Sequence, residues 1–223
     1  QEVASKHNAP ESSGRYNKQL LSHAQKLEDI RKLAGEIRQY HYQLTLPWTD
    51  EGYRILPSEL YFDHAEKMRL FQCDFNEAAA DFICEYPLYV EAAKLQLNGL
   101  FREEDYPASE NIRKKFQLRV EILPIPSGDD FRVSISNDEQ ARIRHQIDES
   151  VRESFSRAHE DLWIRLRGVV ERMVDRLRNP DSVFRDSLVG NVVELVEMLP
   201  KLNIAEDGNL DSFVHEVKQR LCE

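Results

Sequence analysis

Apolar residues recur at steps of three and four over most of this chain. Leu20, Ala24, Leu27, Ile30, Ala34, Ile37, His41 and Leu44 trace one stripe, which predicts an amphipathic helix from about Arg15 to Leu44. Pro47 stops it, because proline has no N–H to donate and disfavours helix in the residue before it. A second stripe, Tyr61, Ala65, Met68, Phe71, Phe75, Ala79, Phe82 and Tyr86, predicts a helix capped by Ser58. Pro87 is expected to kink or break it, with a continuation from Val90 to Leu100. The loop between these two helices is short, so they should form an antiparallel hairpin. A third helix is predicted from Asn137 to Arg178, with Asn137 and Gln140 at capping-box spacing. Its apolar positions, Ile143 to Leu177, advance about 3.8 residues at a time, which is not a strict heptad. Two shorter helices are predicted at 181–199, stopped by Pro200, and at 210–221.

The period changes after residue 115. Phe116, Leu118, Val120 and Ile122 alternate with mostly polar neighbours, and Phe131, Val133 and Ile135 alternate again. A period of two marks strands, so a β-hairpin is expected here, with Pro124 and Pro126 at its end or edge. A lone two-stranded hairpin is marginal in water and needs something to lie on. Together these elements predict a mainly α (α+β) fold: an elongated antiparallel long-helix bundle with a small β-hairpin inserted around residues 116–136. The expected parts are a flexible N-terminal arm at 1–13, a long helical hairpin at 14–100, the β-hairpin insertion at 101–136, and a C-terminal helical segment at 137–223 packing on the hairpin.

Composition narrows the function classes. Of 223 residues, 41% are hydrophobic, enough for a core, yet no run of about 18 apolar residues exists to span a membrane. Thirty Lys+Arg against 40 Asp+Glu give a formal charge of −10, which argues against a dedicated nucleic-acid binder. The three cysteines, Cys73, Cys84 and Cys222, form no disulfide framework, and the chain shows no signal-peptide pattern. A reducing bacterial cytoplasm is the expected compartment.

The motifs that would carry chemistry are mostly missing. No glycine-rich phosphate loop and no Gly-x-Ser-x-Gly elbow occurs, and no cofactor is expected. His159-Glu160-Asp161-Leu162-Trp163 starts like a zinc-protease helix but has Trp163 where a second histidine is required, so His159 reads as a surface histidine. Asp207-Gly208-Asn209-Leu210-Asp211 resembles the start of a calcium loop, but Ser212 and Lys218 occupy the positions of the required Gly and bidentate acid. His41, Asp50, Asp63 and His64 could converge on a metal, which keeps a metal-dependent hydrolase as an alternative. Every basic residue from Phe116 to Pro200 is arginine. Arginine suits bidentate pairing with carboxylates, either across an interface along 142–178, where a homo-oligomer is one expectation, or within the helix as Asp148–Arg152, Glu153–Arg157 and Asp161–Arg165. The Thr45–Leu56 loop is the other candidate contact region. Its Pro47-Trp48 could anchor a partner, since Trp is enriched in hot spots, or plug the hairpin core. The candidate protein-interaction surface is therefore Pro47, Trp48, Asp50, Tyr53, Arg152, Arg157 and Arg165.

Several segments, in order along nearly the whole chain, match one family. They are Gly14-Arg15-Tyr16-Asn17-Lys18, His41-Tyr42 with Thr45-Leu46-Pro47-Trp48, Lys67-Met68-Arg69, Leu97-Asn98-Gly99, Asp105-Tyr106-Pro107, Asp130-Phe131-Arg132, Asp161-Leu162-Trp163, Phe184-Arg185-Asp186-Ser187-Leu188 and Leu199-Pro200-Lys201-Leu202-Asn203. In these the chain resembles a phage and prophage family, domain of unknown function 3150. The resemblance implies a phage-encoded protein whose gene lies near a ring-forming AAA+ ATPase of the MoxR or cobaltochelatase type, sometimes with a von Willebrand A-like partner. It implies no catalytic residues. The expected function is thus a non-enzymatic helical interaction or adaptor protein, a partner of such an ATPase. A phage inhibitor of a host defence protein is the other alternative. The acidic surface would suit mimicry of nucleic acid, although the acids are interspersed with arginines.

Overall fold

A computed structural model describes residues 17–127, 136–178 and 186–221. The protein is mainly α: among the described residues there are six α-helices and one two-stranded hairpin. The helices are α1 (Gln25–Leu44), α2 (Tyr61–Leu97), α3 (Ser109–Arg113), α4 (Asn137–Arg178), α5 (Asp186–Leu202) and α6 (Gly208–Leu221); the strands are β1 (Leu46–Pro47) and β2 (Arg54–Ile55). No described helix is long and apolar enough to cross a membrane. The chain folds as two compact units: Gln1–Ala34 with Gln72–Arg119, and Gly35–Phe71 with Val120–Glu223. The expected arm at 1–13 lies outside the described residues.

In the first unit, the start of α1 and most of α2 bury Ala24, Ile30, Phe75, Ala79, Phe82 and Tyr86. Ser22 Oγ donates to Gln96 Oε1 at 2.7 Å, and Lys26 pairs with Asp81 at 2.8 Å. The order of these contacts runs the two helices antiparallel. Helix α1 begins ten residues later than its apolar stripe suggests. Tyr106 donates to the Leu20 carbonyl at 3.0 Å and Lys18 pairs with Asp105, so this stretch is held as a turn against the segment around the 3₁₀ turn Glu103–Asp105 instead of extending the helix. Pro87 does not break α2, which runs through it to Leu97. A proline removes one ladder bond, and the buried Phe82, Ile83, Tyr86 and Ala93 on either side hold the helix across that gap. Ser58 is likewise not its cap: it opens a 3₁₀ turn, Ser58–Leu60, with no side-chain cap bond.

The hairpin sits elsewhere than predicted. It pairs Leu46 with Ile55 and Pro47 with Arg54, whereas the described residues from Phe116 onward form no strand. The second expected strand, Phe131–Ile135, lies outside the described residues. Alternation alone makes no sheet without a partner. Phe116 packs edge-on against Phe82, with ring centroids 5.3 Å apart, and Gln72 donates to the Leu118 carbonyl at 3.4 Å.

In the second unit, the core joins Leu44, Leu46 and Leu60 to Ala158, Leu162 and Leu166 of α4. From α5 and α6 it takes Val192, Val196, Leu199, Leu202, Leu210 and Val214. Helix α4 has the predicted bounds, but its cap is Ser136: Ser136 Oγ accepts from Glu139 N at 3.4 Å, with Glu139 at the capping-box position. Pro200 lies inside α5 rather than ending it. Leu177, expected on the buried stripe of α4, is 61% exposed.

Candidate functional site

Helix α1 ends in carbonyls that no later turn of helix can satisfy. The chain fills this need with side chains from close by and from far along the sequence. Thr45 Oγ1 donates to the His41 carbonyl at 2.6 Å. Arg165, from α4, donates to the Gln43 carbonyl at 3.3 Å and the Thr45 carbonyl at 2.7 Å, while its Nε is fixed by Asp161 at 2.7 Å. Arg54, from β2, donates to Thr45 Oγ1 at 2.7 Å and to the same Thr45 carbonyl at 2.8 Å, and lies over the Tyr42 ring at 4.6 Å. Burial, and next the Arg165 charge, lower the Arg54 pKa, with Asp161 acting the other way. Two cations therefore converge on the negative end of a helix dipole, which favours them there.

The turn from Trp48 to Tyr53 is closed by Trp48 N donating to the Tyr53 carbonyl at 2.9 Å, with Gly52 at a φ of +95° that a side chain would strain. Trp48 is half-buried, edge-on to Phe155 of α4 at 5.0 Å between centroids. Arg157 reaches Asp50 at 2.7 Å and Ser154 Oγ at 3.3 Å. Of the residues named from the sequence, Trp48, Arg157 and Arg165 thus tie the hairpin to α4, and Asp50, Tyr53 and Arg152 stay exposed. The intrahelical pair Asp161–Arg165 forms. Arg157 turns to Asp50 instead of Glu153, and no Asp148–Arg152 pair forms among the described residues.

His41 and His64 do meet. His41 Nδ1 and His64 Nε2 are 3.0 Å apart, so one shares its proton with the other. Burial lowers both pKa values; His41 falls to about 4, with the His64 and Arg54 neighbours adding to the shift. The carboxylates expected to join them do not: Asp50 binds Arg157, and what Asp63 offers Tyr40 is its backbone carbonyl, at 3.1 Å. Among the described residues, no group of three or more His, Cys, Asp or Glu side chains could hold a metal ion.

A polar node that pattern reading missed sits between α4 and the start of α6. Asp207 Oδ1 accepts from Asn209 N at 2.9 Å, capping α6, while Oδ2 meets His159 Nε2 at 2.8 Å and accepts from Trp163 Nε1 at 3.3 Å. Asn203 bonds the Asp207 backbone at N and O. The His159 bond, then the Asn209 N–H, hold the Asp207 carboxyl below its usual range. The spacing Asn203-x-x-x-Asp207, just before an apolar run, was a visible cap signal; the His159 and Trp163 partners, 48 and 44 residues away, were not.

Beside this node, α4, α5 and α6 leave an open groove of about 240 Å³, walled by apolar side chains including Leu166, Met173, Val192, Leu195, Phe213 and Val217. Val170 and Leu177 also line it and are 39% and 61% exposed. The exposed residues of this end of α4 carry Arg167, Arg172 and Arg178 against Glu171 and Asp175. The chain matches no protein-family model, and no curated protein or solved structure matches it.

Proposed function

We propose that this chain is a non-enzymatic helical adaptor, acting in a bacterial host cytoplasm, that binds an acidic amphipathic helix of a partner protein. The observation that carries the reading is the groove of α4, α5 and α6. It is wholly apolar inside; the exposed charges on the α4 wall are mostly arginine, while α5 exposes Glu194 and Glu197. An apolar trough with arginines on its α4 side matches a helix with one apolar stripe and carboxylates along the edge that meets α4. The hairpin tip is the weaker candidate, because its Trp48 and the arginines beside it already hold the chain to itself. The partner to test is the one the family resemblance names, a ring-forming AAA+ ATPase of the MoxR or cobaltochelatase type. Co-expressed with that ATPase and nucleotide, the protein should co-elute with it, and Val170→Glu or Leu177→Glu should abolish co-elution without unfolding, since both side chains reach solvent. Separate elution of the unaltered proteins would reject the ATPase as partner. Co-elution unaffected by either substitution would reject the groove.

A further inference from the structure

We propose that the groove of α4, α5 and α6 is a seat for one aromatic side chain, and that the docking helix anchors itself there with a phenylalanine. The inference rests on the adaptor reading for the helix and adds the residue that helix must carry. An enclosed apolar cavity of about 150 Å³ takes up benzene. The groove offers about 240 Å³, room for one phenyl ring and its stem but not for a row of large side chains. Its floor is buried, with Leu166, Val192 and Val196 at 4% exposure or less. Val170 and Leu177 form its open side, so a ring can enter without opening the core.

Two of the walls favour a ring over an aliphatic group. Met173 brings a thioether, which gains from contact with the edge of an aromatic ring, and Phe213 can meet a second ring edge to face. Phe213 is itself held in place. Trp163 lies edge-on to it at 6.5 Å between centroids, and Trp163 Nε1 donates to Asp207. Among the described residues no polar side chain lines the groove, so the hydroxyl of a tyrosine or the N–H of a tryptophan would leave water there without gaining a partner. Phenylalanine has no such group to strand. Charge places the rest of the helix. Arg167 and Arg178 are exposed next to the groove residues Leu166 and Leu177, whereas Glu194 is exposed next to Leu195, so the carboxylates of the docked helix lie along α4.

The test needs no partner protein, so it can fail while the ATPase co-elutes and succeed while the ATPase does not. Toluene, the phenylalanine side chain without its backbone, is titrated into the full chain carrying methyl-labelled methionine. The Met173 methyl resonance, assigned through Met173→Leu, should shift saturably while that of Met68 stays in place. Para-cresol, the tyrosine counterpart, should bind about tenfold more weakly. Val170→Phe or, at a more exposed position, Leu177→Phe should fill the seat and abolish the shift with helical content unchanged. Phe213→Leu should weaken toluene binding about threefold or more, the loss of one edge-to-face contact. The absence of a saturable shift overturns the proposal. So does toluene binding that persists in both filled variants, para-cresol binding as tightly as toluene, or indifference to Phe213→Leu.

Discussion

The Thr45 carbonyl, in a residue only 1% exposed, collects two guanidinium groups. Two like charges side by side would repel, but here each is anchored: Arg165 by Asp161, and Arg54 by the Thr45 hydroxyl and the Tyr42 ring. Lysine could not replace either, since it lacks a planar fork that reaches two acceptors at once. The histidine pair nearby gives a pH dependence. In the folded chain burial holds His41 and His64 below the ordinary value of 6.5, His41 at about 4, so between those values the unfolded chain binds more protons. The contribution to stability is whole above pH 6.5 and is lost as pH falls through about 4. Urea unfolding of His41→Asn should therefore lose roughly 1–2 kcal/mol less than the unaltered protein between pH 7 and 4.5. Equal losses would count against a neutral buried pair. At this scale the sequence named the right histidines and the wrong company: proximity of His41 and His64 follows from two helix ends joined by a short loop, but where Asp50 points depends on Arg157, 107 residues away.

At the scale of the element, the helices were legible and their ends were not. Period is a property of each segment's own residues, so α2 and α4 emerged from their stripes. Ends are set by what satisfies the last N–H and C=O groups, and here Tyr106, Arg165, Ser136 and Asp207 do so, mostly from outside the segment. Pro87 shows the same contest from within. Burial on either side outweighs the missing ladder bond, and Pro87 itself is exposed. Pro87→Ala restores an N–H facing the Ile83 carbonyl and should stabilise the protein by about 1–2 kcal/mol, the helix propensity gained less the added freedom of the unfolded chain. A lower urea midpoint in the variant would mean that the proline serves packing rather than interrupting it.

Across the whole molecule, two units share two helices, since α1 and α2 each pass from one unit to the other. Each unit has a core of its own: Phe82 lies at the centre of one, against Tyr86, Tyr89 and Phe116, and Leu162 is fully buried in the other. Phe82→Ala and Leu162→Ala should each cost about 3–5 kcal/mol through lost burial and the cavity left behind. Hydrogen exchange should accelerate chiefly within the altered unit, residues 72–119 for the first and α4 to α6 for the second. Uniform acceleration in both variants would show one cooperative body instead.

Hydrophobic period alone determined that this chain is mainly helical and placed its long helices, because a helix's bonds close within four residues of themselves. Tertiary structure alone decided where the hairpin forms, which side chains finish the helix ends, and where apolar surface stays open. Those outcomes rest on groups as far apart as Thr45 and Arg165, 120 residues along the chain. No local pattern encodes which distant partner will take up a carbonyl, a carboxylate or an apolar face; packing selects it only once the helices have met.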